Sequence, residues 1–356
     1  ILAELPIDGK PRKVLMQAPK NGFFYVLDRE TGELLSAKNI VPVNWAKGMD
    51  MKTGRPIVDD EAAAYWKDGK RKLVTPAFWG AHDWHPMSYN PQTGLVYIPA
   101  HIMSAYYEHV PEAPKRNPFK SVYQLGLRTG MMPEGAEGLL DMAKTWSGKL
   151  IAWDPVKQAP AWEVPYITIF NGGTLSTAGN LVFEGSADGR VIAYAAETGK
   201  KLWEAPAASG VMAAPITYAV DGEQYVTFMA GWGGAFSTFA GALSLRAGVQ
   251  PYAQVLTYKL GGTAKLREPA PPADAPKPPP LTANAETVAA GAALYDGNCS
   301  QCHGIHAVSG GVLPDLRKLG ADKHQMFLGI LYGGRVPDGM PSFADNLNPE
   351  QVEQVH

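Results

Sequence analysis

Ile192-Ala193-Tyr194-Ala195-Ala196-Glu197-Thr198-Gly199-Lys200-Lys201-Leu202-Trp203-Glu204 is the stretch that decides how this chain folds. Apolar residues alternate, an E-T-G turn follows, and a second run carries a bulky Trp, so it reads as strand, turn, strand. The pattern recurs. Tyr25-Val26-Leu27-Asp28-Arg29-Glu30-Thr31-Gly32-Glu33-Leu34-Leu35 is another copy. Ile151-Ala152-Trp153-Asp154-Pro155 through Ala161-Trp162-Glu163 is a third, with Pro155-Val156-Lys157 where T-G-K stands elsewhere. Tyr89-Asn90-Pro91-Gln92-Thr93-Gly94-Leu95-Val96-Tyr97 is a weaker fourth. Such units cannot bury their faces alone. Stacked radially they predict a β-propeller over residues 1–267.

Two segments break the pattern. Residues 101–148 form a long insertion rich in Tyr, Pro and Met, with a short helical stretch near 135–144. An excursion this long is often functional, and this one either shapes a substrate channel or a docking face, or is a plain surface loop. Residues 268–281 read EPAPPADAPKPPPL, with seven prolines. That composition favours extended polyproline II at about 3.1 Å per residue, so residues 268–283 are read as a semi-rigid linker or simple spacer.

The last segment, 284–356, reads as a small all-α domain. It opens with a helix from about Glu286 to Gly297, followed by Cys299-Ser300-Gln301-Cys302-His303. C-x-x-C-H is the attachment site of a c-type haem: two thiols bond the porphyrin vinyl groups and the adjoining His ligates iron. These are the only two cysteines. A sixth ligand is expected downstream, and Met340 in Val336-Pro337-Asp338-Gly339-Met340-Pro341-Ser342-Phe343 fits, with Gly339 and Pro341 fixing the backbone beside it. Met326 competes, but it lies in Asp322 to Tyr332, which reads as a helix. Asn348-Pro349-Glu350-Gln351 has the form of a capped helix start.

Charge is balanced, 32 Lys and Arg against 34 Asp and Glu, which argues against a nucleic-acid partner. No apolar run reaches the roughly 18 residues that span a bilayer. No signal peptide is present. Covalent haem attachment normally occurs outside the bacterial cytoplasm, so a periplasmic location with a removed or missing export signal is expected.

Residues 284–356 resemble the class I cytochromes c, down to the G-M-P-x-F loop and Pro314-Asp315-Leu316. Residues 1–260 resemble the propeller of quinoprotein alcohol dehydrogenases, eight-bladed and holding pyrroloquinoline quinone (PQQ). The matching stretches run from Ala18-Pro19-Lys20-Asn21-Gly22-Phe23 to Asp28-Arg29, through Gly80-Ala81-His82-Asp83-Trp84-His85-Pro86-Met87-Ser88, and over Ala230-Gly231-Trp232-Gly233-Gly234. Joined in one chain, the two halves resemble the quinohaemoprotein (type II) alcohol dehydrogenases. The fold expected is therefore about half of an eight-bladed all-β propeller followed by a small all-α cytochrome c domain.

The resemblance implies roles. Lys20 stands where the family has a basic residue beside the quinone oxygens. Asp83-Trp84 matches an Asn-Trp pair that contacts PQQ, and here the Asn is Asp, a carboxylate that must be protonated or paired, with Lys20 or a cation, beside an anionic cofactor. Trp232 and Ala235 match a segment closing the pocket, although a core Trp is an equal reading of Trp232. Cys299 and Cys302 would carry the haem, with His303 and Met340 as iron ligands. The catalytic Asp, also a Ca²⁺ ligand, is expected upstream of Ile1, so the chain reads as a fragment truncated at both ends, unable by itself to run the first step. Asp28 and Asp154 occupy repeat turns and are not promoted to that role. His82-x-x-His85 is a weak metal signal without nearby carboxylate or Cys spacing.

The expected activity is oxidation of a small alcohol by hydride transfer to PQQ, then single-electron transfer to haem c and an external acceptor: a soluble cytochrome, a copper protein or a quinone. Two alternatives stay open: a non-catalytic haem c electron-transfer module on a propeller scaffold, and a quinohaemoprotein dehydrogenase for a polymeric or cyclic alcohol.

Overall fold

The computed structural model describes residues 1–109, 127–130 as backbone, 144–232, 247–249, 252–267, 269–270, 276–277, 279–304, 307, 309, 311 and 313–356. Among the described residues are six antiparallel sheets: two smaller ones, Ala46–Met49 with Pro56–Val58 and Lys72–Val74 with Ala105–His109 and Leu127–Gly130, and four that form the stacked body and follow one another along the chain. The first holds Leu2–Ile7, Lys10–Gln17, Phe23–Asp28 and Leu34–Asn39. The second holds Ser88–Asn90, Leu95–Ile102, Ser147–Asp154 and Ala159–Tyr166. The third holds Thr174–Ser176, Leu181–Ser186, Arg190–Ala195 and Lys201–Pro206, and the fourth Ile216–Val220, Glu223–Ala230 and Gln254–Tyr258.

Period-2 alternation explains why these sheets stack as propeller blades. On Leu95–Ile102, residues Val96, Ile98 and Ala100 pack with Val14, Met16, Phe24 and Val26 of the first sheet. Leu95 and Tyr97, on the other face, pack with Val182, Ile192 and Tyr194 of the third. The third sheet repeats the device: Phe183, Val191 and Ala193 face Val226, Phe228 and Ala230 of the fourth. Central strands buried on both faces read as continuous apolar runs. Each Val, Leu, Ile or Phe among them removed from water contributes about 1.5–3 kcal/mol.

The Trp that ends a repeat docks on the next sheet. Trp162 Nε1 donates to Ala196 O at 2.9 Å. Its ring covers the T-G turn, where a Cβ on Gly199 would come within 2.6 Å of the indole. Gly199 also has φ +69°, which favours glycine.

The acidic turn residues have a structural task. Asp28 Oδ1 accepts from the backbone N–H groups of Glu30 and Thr31, both at 2.9 Å, and Oδ2 accepts from Arg12 Nε at 2.8 Å. Asp154 repeats this with Val156 and Lys157. Arg12 first, then these N–H groups, hold the Asp28 carboxyl down at about 2, below the ordinary 3.8. A depressed carboxyl contributes stability above its unfolded value and loses it as pH falls through its folded one. Asp28→Asn is therefore expected to destabilise the protein at pH 7. Urea denaturation at successive pH values should show the gap to the parent closing between about pH 4 and pH 2.

The repeat reading needs one correction. Tyr89–Tyr97 is not a blade of its own. It forms the first hairpin of the second sheet, which already carries the Ile151 copy. The fourth sheet turns instead through Asp221-Gly222, both at positive φ (52° and 81°), the signature of a two-residue hairpin loop. A further copy went unread: Asp50 Oδ1 accepts from Lys52 N at 2.9 Å, closing the hairpin of Ala46–Met49 and Pro56–Val58. The 101–148 insertion is shorter than expected, because His101 and Ile102 still pair with Gly148 and Ser147. Its expected helical stretch near 135–144 lies almost wholly outside the described residues, as does much of the Pro-rich linker.

The C-terminal helices are Ala285–Asn298, Ser300–His303, Ala321–Gln325, Phe327–Gly333 and Pro349–Val355. Asn348 and Gln351 form a reciprocal capping box at the last of these. The segment expected as one helix over Asp322 to Tyr332 breaks at Met326, where φ −92° and ψ 0° leave the helical region. Leu331, Phe343, Leu347 and Val352 make the core. Among the described residues no helix is long and apolar enough to cross a membrane.

Candidate cofactor sites

Two places gather the residues singled out in the sequence. The first lies where the turn between Lys10–Gln17 and Phe23–Asp28 meets the loop leading into Ser88–Asn90. Ala81 N donates to Lys20 O at 2.9 Å. Gly80, at φ +83°, lets the backbones touch: a Cβ there would sit 2.6 Å from Lys20 Cα. This contact brings Lys20 Nζ to 3.3 Å from Asp83 Oδ2 and 3.5 Å from Phe78 O. Trp84 beside them is 53% exposed.

Beneath Trp84 the loop is buried. His85 stacks on its indole with ring centroids 4.0 Å apart. Neither His85 ring nitrogen has a partner, and burial drives the imidazolium down to about 3, so His85 is neutral. His101 stacks on Phe170 at 4.8 Å and accepts from Phe170 N at 3.2 Å. That bond leaves the His101 proton on Nε2. His82 contacts two main-chain carbonyls, Ala18 O at 2.6 Å and His85 O at 2.7 Å. The His82-x-x-His85 spacing thus serves packing and backbone contacts, and among the described residues no three His, Cys, Asp or Glu gather for a metal ion.

Trp232 sits differently. Its indole is enclosed, donates to Ala187 O at 2.8 Å and fills the space a side chain on Gly210 would need. This ring belongs to the packing between the third and fourth sheets. Ala235 lies outside the described residues. His101 and Phe170 were not read as site residues; no local spacing announces them, since they meet through packing of separate loops.

A flat, oxygen-rich anion fits the residues on the exposed side. Lys20 supplies a cation, Trp84 an open aromatic plane, and Asp83 is paired with the ammonium rather than left as a bare repelling charge.

The second place is the C-x-x-C-H turn. Cys299 and Cys302 are free thiols. Burial, then the neighbouring Cys302, pushes the Cys299 thiol up to about 11. His303 Nδ1 lies 2.9 Å from Pro314 O. A carbonyl only accepts, so Nδ1 carries the proton and Nε2 keeps its lone pair for a metal. Arg335 N donates to Met340 O at 2.8 Å, and Met340 N donates to Arg335 O at 3.1 Å, fixing the backbone of Met340. Met340 packs on the helical core, whereas Met326 is 53% exposed. The donor set, two thiols and an oriented imidazole with a thioether on a fixed loop, fits a covalent haem.

Residues 64–226 match the β-propeller domain of glucose, ethanol and alcohol dehydrogenases. Residues 286–356 match the family of cbb3-type cytochrome c oxidase subunit III. A quinohaemoprotein alcohol dehydrogenase of Pseudomonas putida, ADH-IIG, is 86% identical over the whole chain, which covers 50% of that protein. A quinohaemoprotein alcohol dehydrogenase of Comamonas testosteroni is 42% identical over the whole chain, again covering about half of it (49%). Solved structures of these two enzymes superpose with TM-scores of 0.93 and 0.82 and cover 100% of this chain, which spans 52% and 51% of theirs. A europium-containing methanol dehydrogenase, 31% identical, covers 73% of the chain at a TM-score of 0.60. The chain thus spans about half the length of the relatives it matches.

Proposed function

Because this chain belongs with the quinohaemoprotein alcohol dehydrogenases along half of their length, we propose that the protein containing it oxidises alcohols to aldehydes and passes the electrons to an external acceptor. When bound, PQQ supplies a two-electron acceptor, Ca²⁺ a Lewis acid and haem c a one-electron carrier.

The residues of this chain do the positioning. Lys20, tethered by Asp83 and Phe78 O, would hold the bound cofactor with a positive charge able to stabilise negative charge on its oxygens. Asp83 restricts the ammonium and offsets part of its charge. Trp84 offers its open face for stacking. Cys299 and Cys302 anchor a porphyrin, and His303 presents Nε2 in the tautomer set by Pro314. Met340, on its fixed loop, would supply a second ligand to the haem iron. The base that takes the alcohol proton is assigned to the part of the relatives' length outside this chain.

We divide the chain into propeller (1–267), linker (268–283) and cytochrome domain (284–356). Haem c chemistry favours the periplasm, with a soluble cytochrome, copper protein or quinone as acceptor. The observation that carries the reading is the Lys20–Asp83 pair beside an exposed Trp84, in a chain that also bears an oriented haem histidine.

The test uses the full-length protein, matured in the periplasm and reconstituted with PQQ and Ca²⁺. A primary alcohol added anaerobically should reduce the haem only when PQQ is present. Haem that dithionite reduces but no alcohol in a broad panel reduces would leave an electron-transfer module instead.

A further inference from the structure

We propose that His82 is a positioning residue that staples the Lys20 turn to the Trp84 segment, completely only as an imidazolium. This rests on the cofactor reading above. His82 is 4% exposed, and each ring nitrogen faces a carbonyl oxygen: Nδ1 is 2.6 Å from Ala18 O, and Nε2 is 2.7 Å from His85 O. Carbonyls only accept. A neutral imidazole carries one N–H, so it satisfies one of them and sets a lone pair against the other. The imidazolium donates to both.

The two carbonyls belong to segments that matter. Ala18 stands two residues before Lys20, and His85 follows Trp84. Between them run the Ala81 N to Lys20 O bond and the Lys20–Asp83 ion pair. With the staple closed, the distance between an ammonium and an aromatic plane is fixed from both sides.

Several titratable groups bear on His82. Asp83 favours the cation, and so do the two carbonyls. Lys20 is paired with Asp83, and His85 and His101 are buried and neutral. Burial opposes the cation and is the largest influence, so the group titrates below the ordinary histidine value. A histidine lowered in the folded state withdraws stability as pH falls below its unfolded value. The staple therefore closes as pH falls below the ordinary histidine range while global stability declines, two opposite trends that separate positioning from simple packing.

Equilibrium binding of PQQ to the full-length protein, followed by quenching of tryptophan fluorescence, should tighten about ten-fold as pH falls through the His82 titration, the worth of one hydrogen bond to a charged group. His82→Gln, which cannot donate from both ends, should bind more weakly with a flat profile. Lys20→Met should weaken binding but leave the His82 titration in place. Ring ¹⁵N shifts of labelled histidine report that titration directly, without PQQ. A His82 ring that stays neutral at every pH at which the protein remains folded, or a His82→Gln profile parallel to the parent, overturns the proposal. If the ring titrates and hydrogen exchange around residues 18–21 slows with it, yet PQQ never binds, the staple stands and the cofactor reading fails.

Discussion

Glu184→Gln is expected to stabilise the propeller above about pH 8 by about 5 kcal/mol while leaving its stability near pH 5 within about 1 kcal/mol of the parent. Glu184 is fully buried between the second and third sheets. Its Oε2 accepts from the Tyr166 hydroxyl at 2.6 Å, and that hydroxyl lies 2.8 Å from Tyr194 Oη. Its Oε1 has no partner. The nearest guanidinium, Arg190, is engaged with Asp188 at 2.8 Å and Glu204 at 3.3 Å. Burial pushes the Glu184 carboxyl from 4.5 up to about 8. The folded state then binds one more proton than the unfolded state between those values. Stability is full below about pH 4.5 and falls as pH rises towards 8, by about 5 kcal/mol in all. Glutamine never ionises, and its carbonyl still accepts from Tyr166. Urea midpoints at pH 5 and pH 8.5 decide the matter. Parallel pH profiles for parent and variant would show that Glu184 is already ionised in the fold.

The strands were legible because burial on alternate residues has a period that a sequence displays directly. The turn copies were legible too, since an Asp whose Oδ1 takes two backbone N–H groups recurs as D-x-x-T-G or its variants. That same chemistry misplaced one of the four copies. Asn90 Oδ1 accepts from Gln92 N at 2.9 Å just as Asp28 does in its own turn, so Tyr89–Tyr97 looks like a repeat although it opens a different hairpin. Turn chemistry reports a hairpin, not which hairpin of a blade. The neighbourhood of Lys20 was less legible. Its contact with Asp83 depends on Gly80 admitting the Lys20 backbone, and nothing local to either residue encodes that approach. His82 and His85 share a spacing that suggests ligands, yet one ring faces carbonyls and the other lies under an indole. Those partners come from separate loops, and only the fold brings them together.

Gly291→Ala is expected to abolish most haem incorporation, the largest effect foreseen in the cytochrome domain. Gly291 is buried on Ala285–Asn298 where Pro349–Val355 crosses it. A Cβ there would overlap Gln354 O and approach Gln354 C to 2.7 Å. Both atoms are backbone, so no side-chain rotation relieves the clash and the helices must part. Overpacking of this kind costs about 1–3 kcal/mol or more. Against it stands the gain in helix propensity of Ala over Gly, about 1 kcal/mol. In a large domain that net loss would be absorbed. Here the described core is small: Leu331, Phe343, Leu347 and Val352, with Leu294, Phe327, Tyr332 and Met340 packed against it, must hold the helices before haem is attached. Gly297 is the internal control. It lies on the same helix with nothing within 4 Å of its Cβ position, so Gly297→Ala should gain up to about 1 kcal/mol and keep its haem. The ratio of haem absorbance to protein after periplasmic maturation separates the two variants. Equal haem in both would mean that the helices do not cross at Gly291.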